Sequence, residues 1–162
     1  MQTVYLSLGS NLGDRRANLR AALGRIEAPD LRRLRVSPVY ETEPVEYIGQ
    51  GWFLNLAAEA ETSLAPLELL ARAQAIEGLL GRLRTVPKGP RTMDIDILFY
   101  GTAVVRSAAL EIPHPRIEAR RFVLAPLADL APGLRHPVSG RTVREMLEAA
   151  PPALVRRLGE LG

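Results

Sequence analysis

The sequence contains no cysteine, and Lys88 is its single lysine among 162 residues. The missing cysteines exclude disulfide bonds and thiolate metal sites. The sequence also lacks any apolar run close to the roughly 18 residues that a membrane span requires. Its first residues, MQTV, do not show the order of charged, apolar and small residues that is typical of a signal peptide. We therefore expect a cytoplasmic protein that does not cross a membrane.

The positive charge of the chain comes almost entirely from arginine. The 21 basic residues exceed the 18 acidic ones, which gives a net charge of +3 and an isoelectric point near 9.8. A surplus this small is compatible with an anionic partner, and equally with ordinary surface chemistry. The length and the hydrophobic content of 47% predict one domain, residues 1–162, with a single well-packed core.

Hydrophobic periodicity predicts alternating strands and helices. Pro38 falls inside one predicted strand, which indicates a sheet edge or a bulge there. The predicted elements are a strand through Val4, Leu6 and Leu8; a tight turn at residues 9–13; a helix with buried Leu19, Ala22, Leu23 and Ile26; a strand through Leu34, Val36 and Tyr40; a loop at 41–51; a strand at 52–61; a helix that opens at Ser63–Pro66; a strand around residues 93–99; a hairpin partner at 103–105; a short helix near Arg116–Arg121; a helix from 136 to 150; and a poorly specified end from 151.

The most informative stretch is residues 89–101, GPRTMDIDILFYG. Asp94 and Asp96 alternate with apolar residues from Met93 to Phe99, which is the period of a strand with one buried face. The two carboxylates therefore point the same way, with Cβ atoms roughly 6.5 to 7 Å apart at a rise of about 3.3 Å per residue. Two acids held this close repel each other unless a cation lies between them, and Mg²⁺ prefers such ligands together with substrate phosphates.

The residues that precede this strand support a nucleotide site. A loop with two glycines and two prolines contains four cations, Arg82, Arg84, Lys88 and Arg91, and leads directly into the acidic strand. Basic groups suited to phosphate beside acids suited to a metal are typical of a nucleotide site. Alone, the acid pair is equally typical of the solvated face of an antiparallel sheet.

Other candidate residues have two interpretations each. Phe53 and Asn55 share one face of the 52–61 strand, where a ring and an amide suit a planar heterocycle, although a half-buried aromatic with a structural amide is commoner. Gln74 and Glu77 flank the buried stripe of a helix and could line the nucleotide site or mark the helix boundary. His114 lies between two prolines, which display its ring.

Four segments together resemble the 6-hydroxymethyl-7,8-dihydropterin pyrophosphokinases of folate biosynthesis. The resemblance spans nearly the whole chain, and its central Pro-Arg-x-x-Asp-x-Asp string is highly specific. The segments are GSNLG at 9–13, FLN at 53–55, GPRTMDIDIL at 89–98, and Pro113-His114 followed by Arg120, Phe122 and Pro126-Leu127.

This resemblance implies a ferredoxin-like α+β sandwich, with an antiparallel sheet and helices mainly on one face. It also implies transfer of the terminal diphosphate of ATP to the hydroxymethyl group of the pterin, without a nucleic acid, a membrane or an obligate protein partner. Asp94 and Asp96 would hold two Mg²⁺ ions, and Arg82, Arg84 and Arg91 would act with them in catalysis. The ATP site would comprise Gln74, Glu77, Arg82, Arg84, Lys88, Arg91, His114 and Arg120. The pterin site would comprise Thr42, Pro44, Val45, Phe53, Asn55, Asp94 and Phe122.

Three positions depart from the family pattern. Lys88 stands where a tryptophan often closes the basic loop, Phe53 replaces the more usual tyrosine, and Pro115 stands where an aromatic is common. None of these changes removes an expected metal ligand. Two rival functions remain at this stage. One is an RNA-binding ferredoxin-like module, which the acids on the central strand disfavour, and the other is a two-metal nucleotidyltransferase, which would release pyrophosphate.

Overall fold

The computed structural model describes residues 1–44, 51–81 and 92–162. These residues form four α-helices, one 3₁₀ helix and nine strands, and every strand pairing is antiparallel. The elements are β1 (Gln2–Ser10), α1 (Arg15–Arg25), β2 (Glu27–Ala28), β3 (Leu31–Val36), β4 (Val39–Thr42), β5 (Phe53–Thr62), α2 (Pro66–Leu79), β6 (Asp94–Tyr100), β7 (Val105–Arg106), β8 (Glu111–Ile112), the 3₁₀ helix (Ile117–Ala119), α3 (Arg121–Leu130), α4 (Val143–Ala149) and β9 (Val155–Gly159).

The main sheet has the strand order β2-β3-β5-β1-β6. Strand β4 pairs with β5 beyond the end of β3, and β9 adds to β4. The long strands β1 and β5 therefore form the centre, and β6, with its two aspartates, lies at one edge. Within the described residues, no helix is long and apolar enough to cross a membrane.

Helices cover both faces of this sheet. On one face α1 and α2 bury the first core cluster, which includes Leu19, Leu69 and the strand residues Leu6, Leu56 and Ile97. On the other face α3 and α4 bury a second cluster. The predicted α+β class with an antiparallel sheet is confirmed, and α1 and α2 lie on one face of it. The structure adds a second helical layer over the opposite face.

The first two predicted helices begin where the sequence indicates. Asp14 caps α1, where its side chain accepts a hydrogen bond from the Ala17 N–H at 3.1 Å. Pro66 begins α2, as its fixed φ and missing N–H favour. The stripe predicted for α1 is buried at Leu19, Ala22 and Leu23.

The strand predicted through Leu34 and Tyr40 is two strands, β3 and β4. Pro38 has no N–H to donate, and the chain passes from one strand to the next at Ser37. There the Ser37 Oγ accepts the Ala57 N–H at 2.8 Å, while the Ser37 N–H donates to the Ala57 carbonyl at 2.9 Å. A side chain thus replaces a backbone acceptor at the break. Leu34, in the first of these two strands, is 45% exposed.

Three predictions for the C-terminal part are wrong. Residues 103–105 do not return along β6, because β7 pairs with β8. The helix predicted for 136–150 is confined to α4, since the His136 N–H donates to the Arg141 carbonyl and forms a tight turn instead. The segment after Pro152 is not poorly specified, because it forms β9 on the edge of β4.

The alternation of the aspartate strand also breaks near its end. Leu6 lies opposite Ile97 and Tyr5 lies opposite Phe99, so an extra residue is inserted in β6 between these pairs. This bulge turns Phe99 to the face of the second cluster, rather than to the face of Ile95 and Ile97. The prediction that Phe99 continues the buried row of Ile95 is therefore wrong.

Candidate functional site

The two aspartates lie on the α3/α4 side of the sheet. Asp94 is paired with Gly9 of β1, and Asp96 is paired with Ser7. Because directly opposed residues of antiparallel strands point to the same face, both carboxylates share a face with Ser7, as the alternation predicts. Both side chains are half-buried. Neither strand neighbour carries a charge.

Gly9 connects this acidic pair to the middle of the sheet. It is the partner of Asp94 on one side and of Asn55 on the other. A Cβ atom at Gly9 would lie 2.4 Å from the Asn55 Oδ1 and 3.4 Å from the Phe53 Cδ1. The absent side chain therefore leaves the space that the Asn55 amide occupies. The sequence prediction of a turn at Gly9 is wrong, because β1 continues to Ser10.

Asn55 is held by Thr42. The Asn55 Nδ2 donates to the Thr42 Oγ1 at 2.5 Å, and the two residues are 3% and 1% exposed. These two candidates of the pterin group are therefore in direct contact, one on β5 and one on β4. Pro44 follows closely and is half-buried. Val45 lies outside the described residues.

The two candidate stacking rings come from different elements. Phe53 begins β5 on the face of Asn55 and is half-buried, and Phe122 lies in the first turn of α3, which packs on β5. The guanidinium carbon of Arg120 lies 5.6 Å from the centre of the Phe122 ring, which is within the range of a cation–π contact. Arg120, a candidate for the triphosphate, is thus fixed beside a candidate for the pterin.

His114 is anchored to the aspartate strand. Its backbone N–H donates to the Leu98 carbonyl at 3.1 Å, and its Nδ1 accepts the Arg116 N–H at 3.2 Å. Because Nδ1 acts as an acceptor, the neutral ring carries its proton on Nε2. The imidazole therefore has a defined donor, as contact with a phosphate oxygen requires.

Gln74 and Glu77 have very different environments. Gln74 is exposed, whereas Glu77 is 3% exposed and its Oε2 accepts the Ile95 N–H at 2.8 Å. Glu77 therefore contacts the backbone between the two aspartates. The candidate residues of the basic loop, Arg82, Arg84, Lys88 and Arg91, lie outside the described residues.

Farther along the same face, under α3 and α4, polar groups pair within the chain. The Tyr5 hydroxyl donates to Glu59 at 2.5 Å, and the Tyr40 hydroxyl donates to Asp129 at 2.6 Å. Burial, followed by these carboxylates, raises the pKa of Tyr5 and that of Tyr40 to about 12. The Arg35 guanidinium lowers the pKa of Glu59. Both phenols therefore remain hydrogen-bond donors at neutral pH.

The carboxylates of Asp94 and Asp96 are suited to Mg²⁺ that is bound together with a substrate. The described residues hold no group of three His, Cys, Asp or Glu that could bind a metal ion. Two hard carboxylates on one face are nevertheless typical of Mg²⁺, which takes one or two protein carboxylates and completes its shell with phosphates and water. An acidic pair of this kind is suited to a metal-nucleotide complex.

Comparison with known proteins gives the family. The model of the 7,8-dihydro-6-hydroxymethylpterin-pyrophosphokinase family matches residues 5–132. A Pseudomonas aeruginosa protein named 2-amino-4-hydroxy-6-hydroxymethyldihydropteridine pyrophosphokinase is 46% identical over 159 residues, which cover 98% of each chain. A Bacillus subtilis protein of the same name is 48% identical over 127 residues, which are 78% of this chain and 76% of that one.

Solved structures agree on the fold. A Plasmodium falciparum HPPK-DHPS structure superposes with a TM-score of 0.75 at 17% identity over 91% of this chain. The chain spans 44% of the length of that protein, so the comparison concerns one part of it. At this identity the likeness shows the fold alone, whereas the family model and the two bacterial relatives go further. The chain belongs to the 7,8-dihydro-6-hydroxymethylpterin-pyrophosphokinase family.

Proposed function

We propose that the chain transfers the terminal diphosphate of ATP to the hydroxymethyl oxygen of 6-hydroxymethyl-7,8-dihydropterin, in folate biosynthesis. A bond forms between that oxygen and the β-phosphorus of ATP. The bond from the β-phosphorus to the α,β-bridging oxygen breaks, the bridging oxygen leaves with AMP, and the hydroxyl gives up its proton to water. The observation that carries the proposal is the row Asn55, Gly9 and Asp94 across three neighbouring strands, because it places an amide suited to a heterocycle near an acid suited to a metal.

Two Mg²⁺ ions held by Asp94 and Asp96 would neutralise the triphosphate and align it for attack. The chain's own task is then mainly positioning, because phosphoryl transfer requires little covalent chemistry from the protein. A fixed strand suits this task better than a loop. The half-buried position of both carboxylates supports the assignment, since partial burial strengthens their attraction for a cation.

Charge on the triphosphate would be shared by groups around the aspartate strand. The donor Nε2 of His114 and the guanidinium of Arg120 are the candidates within the described residues. Arg82, Arg84, Lys88 and Arg91 remain candidates from the sequence. Gln74, exposed on α2, is a candidate for the nucleotide side. Such cations would take up the negative charge that moves to the bridging oxygen as AMP leaves.

The pterin would lie between the rings of Phe53 and Phe122. Asn55 suits the mixed donor and acceptor edge of a pterin, because its amide offers both kinds of group. The Thr42 contact supports this role, since it fixes the orientation of the amide before a ligand binds. Pro44 and Val45, on the chain that follows β4, would border the same slot. Preorganisation of this kind lowers the entropy lost on binding.

The test is to identify the products formed from ATP, Mg²⁺ and 6-hydroxymethyl-7,8-dihydropterin by ³¹P NMR. We expect AMP and the pterin diphosphate. ADP would indicate a simple kinase, and pyrophosphate would indicate a nucleotidyltransferase. Omission of the pterin should stop AMP formation, and removal of Mg²⁺ with a chelator should stop turnover until Mg²⁺ is restored.

A further inference from the structure

Glu77 is the one charged residue among the described residues whose side chain is almost completely buried. It lies near the C-terminal end of α2, on the side that faces β6. Glutamate is rarely buried unless its charge is compensated by hydrogen bonds or a partner. Here the Oε2 accepts the backbone N–H of Ile95 at 2.8 Å. Ile95 is the residue between Asp94 and Asp96.

The place of β6 in the sheet explains why this bond matters. Strand β6 lies at the edge of the main sheet and pairs there with β1. Successive N–H groups of a strand point to opposite sides, so the N–H of Ile95 points away from β1, whereas those of Asp94 and Asp96 point toward it. Glu77 supplies an acceptor on the outer side of the strand. The segment with the two aspartates is consequently held from both sides.

Glu77 and Gln74 lie in different environments, and only Gln74 is a candidate for the nucleotide side of α2. Gln74 lies three residues earlier and is exposed, whereas the Oε2 of Glu77 is directed to the backbone of β6. A carboxylate in this position acts on the aspartates through the strand that carries them. Contacts that orient metal ligands without touching the metal are of this kind, and their loss commonly reduces metal affinity about 10- to 100-fold.

We propose that Glu77 is a positioning residue, which fixes the backbone of Asp94-Ile95-Asp96 so that both carboxylates face the metal-nucleotide complex. The inference rests on the proposed function, in which these aspartates hold Mg²⁺. This role requires an acceptor oxygen at its present distance from the Ile95 N–H, which a neutral amide oxygen can also supply. A group that contacts the nucleotide or the metal through its charge would instead require the negative charge.

Two conservative variants separate these requirements. Glu77→Gln keeps the length and the acceptor oxygen but removes the charge, whereas Glu77→Asp keeps the charge but withdraws the oxygen by one methylene. We expect Glu77→Gln to keep the Mg²⁺ concentration for half-maximal activity within about threefold, and Glu77→Asp to raise it about tenfold or more. Glu148→Gln, the same change at an exposed site on α4, serves as the surface control.

Two readouts do not depend on turnover. Calorimetry measures the Mg²⁺-dependent binding of a non-hydrolysable ATP analogue, and NMR hydrogen exchange measures protection of the Ile95 amide. Both should follow the same order, with Glu77→Gln close to the parent and Glu77→Asp weakened about tenfold. The reverse order, or equal loss in both variants, would overturn the positioning role. Failure of the parent protein to form AMP would instead refute the proposed function, so the two failures are distinguishable.

Discussion

The face of the sheet beneath α3 and α4 has two halves, in which side chains from the same strands have different roles. The covered half contains Tyr5, Tyr40 and Glu59, and the site half contains Gly9, Asn55, Asp94 and Asp96. The two halves meet where Tyr40 lies opposite Asn55. In the covered half each phenol donates to a carboxylate of the chain itself. In the site half the aspartates stand opposite Gly9 and Ser7, which have no charge to offer. Glu59 lies opposite Tyr5 and Arg35 and pairs with both inside the chain, whereas the two aspartates are opposed on β1 by a glycine and a serine.

The test with the largest expected effect replaces one acid in each half. Asp94→Ala or Asp96→Ala should reduce turnover by several orders of magnitude, because no neighbour can replace a metal ligand. Asp129→Ala in the covered half removes the acceptor of Tyr40 and should cost stability while turnover stays within about threefold. The rate of AMP formation measures turnover, and circular dichroism checks the fold. Activity within about tenfold of the parent in either site variant would show that the metal assignment is wrong.

Addition of one methyl group in the site half should weaken pterin binding. Gly9→Ala places a Cβ 2.4 Å from the Asn55 Oδ1, so the amide must move. Such overpacking typically costs about 1–3 kcal/mol, and we expect pterin affinity to fall roughly 10- to 100-fold. Fluorescence titration with the pterin measures the loss.

The control for that variant is another glycine. Gly24→Ala lies on α1, where nothing is within 4 Å of the added Cβ. It should stabilise the fold by about 0.5–1 kcal/mol, because alanine favours a helix, and it should leave pterin affinity unchanged. Equal pterin affinity in the Gly9→Ala variant and the parent would mean that the position of Asn55 is irrelevant to binding.

The sequence anticipates local features of this site better than the contacts between distant strands. Asp94 and Asp96 alternate with apolar neighbours, so their shared face is visible in a few residues. The role of Gly9 depends on its register with Asn55, and no local pattern encodes that pairing. The reversal of Phe99 is likewise invisible in the local pattern, because the bulge depends on how β6 pairs with β1. Family resemblance named Glu77, but its burial against Ile95 required the packing of α2 on β6.

The C-terminal errors have a similar cause. Strand β9 is exposed along most of its length, so it shows little of the apolar alternation that marks a half-buried strand. Its position is determined by pairing with β4, more than 100 residues earlier, including Arg156 with Glu41. The two prolines at 151–152 suggested a chain end, whereas they precede a strand. Long-range pairing overrides weak local preference here.

Substitution of the Phe53 ring should have an intermediate effect on pterin binding. Phe53→Ala should weaken pterin binding by about 1–3 kcal/mol, from lost stacking and buried area, and leave the affinity for an ATP analogue nearly unchanged. Trp52→Ala is the matched control, because Trp52 is the preceding aromatic residue and is 39% exposed. Calorimetry with each ligand separately gives both affinities. Equal losses for the two ligands in Phe53→Ala would indicate that the ring belongs only to the core.

The smallest effect concerns the covered half and its response to alkali. The pKa of Tyr5 is raised to about 12 in the folded chain, whereas that of a free tyrosine is about 10. A group with a raised pKa stabilises the fold fully below the unfolded pKa, and this contribution is lost as the pH rises toward the folded value. Tyr5→Phe should therefore lower the free energy of unfolding by about 1 kcal/mol at neutral pH, and the difference should shrink between about pH 10 and 12.

Urea unfolding of the parent and of Tyr5→Phe, measured from neutral pH to the alkaline range, gives this difference directly. Turnover of the variant at neutral pH should remain within about twofold, because Tyr5 donates to Glu59 and belongs to the covered half. Tyr40→Phe should behave alike, since Tyr40 pairs with Asp129 and has the same raised pKa. A constant stability difference across that pH range would refute the buried phenol-carboxylate pair. A large loss of turnover would show that the two halves are coupled, because a change confined to the covered half would then reach the aspartates through β1.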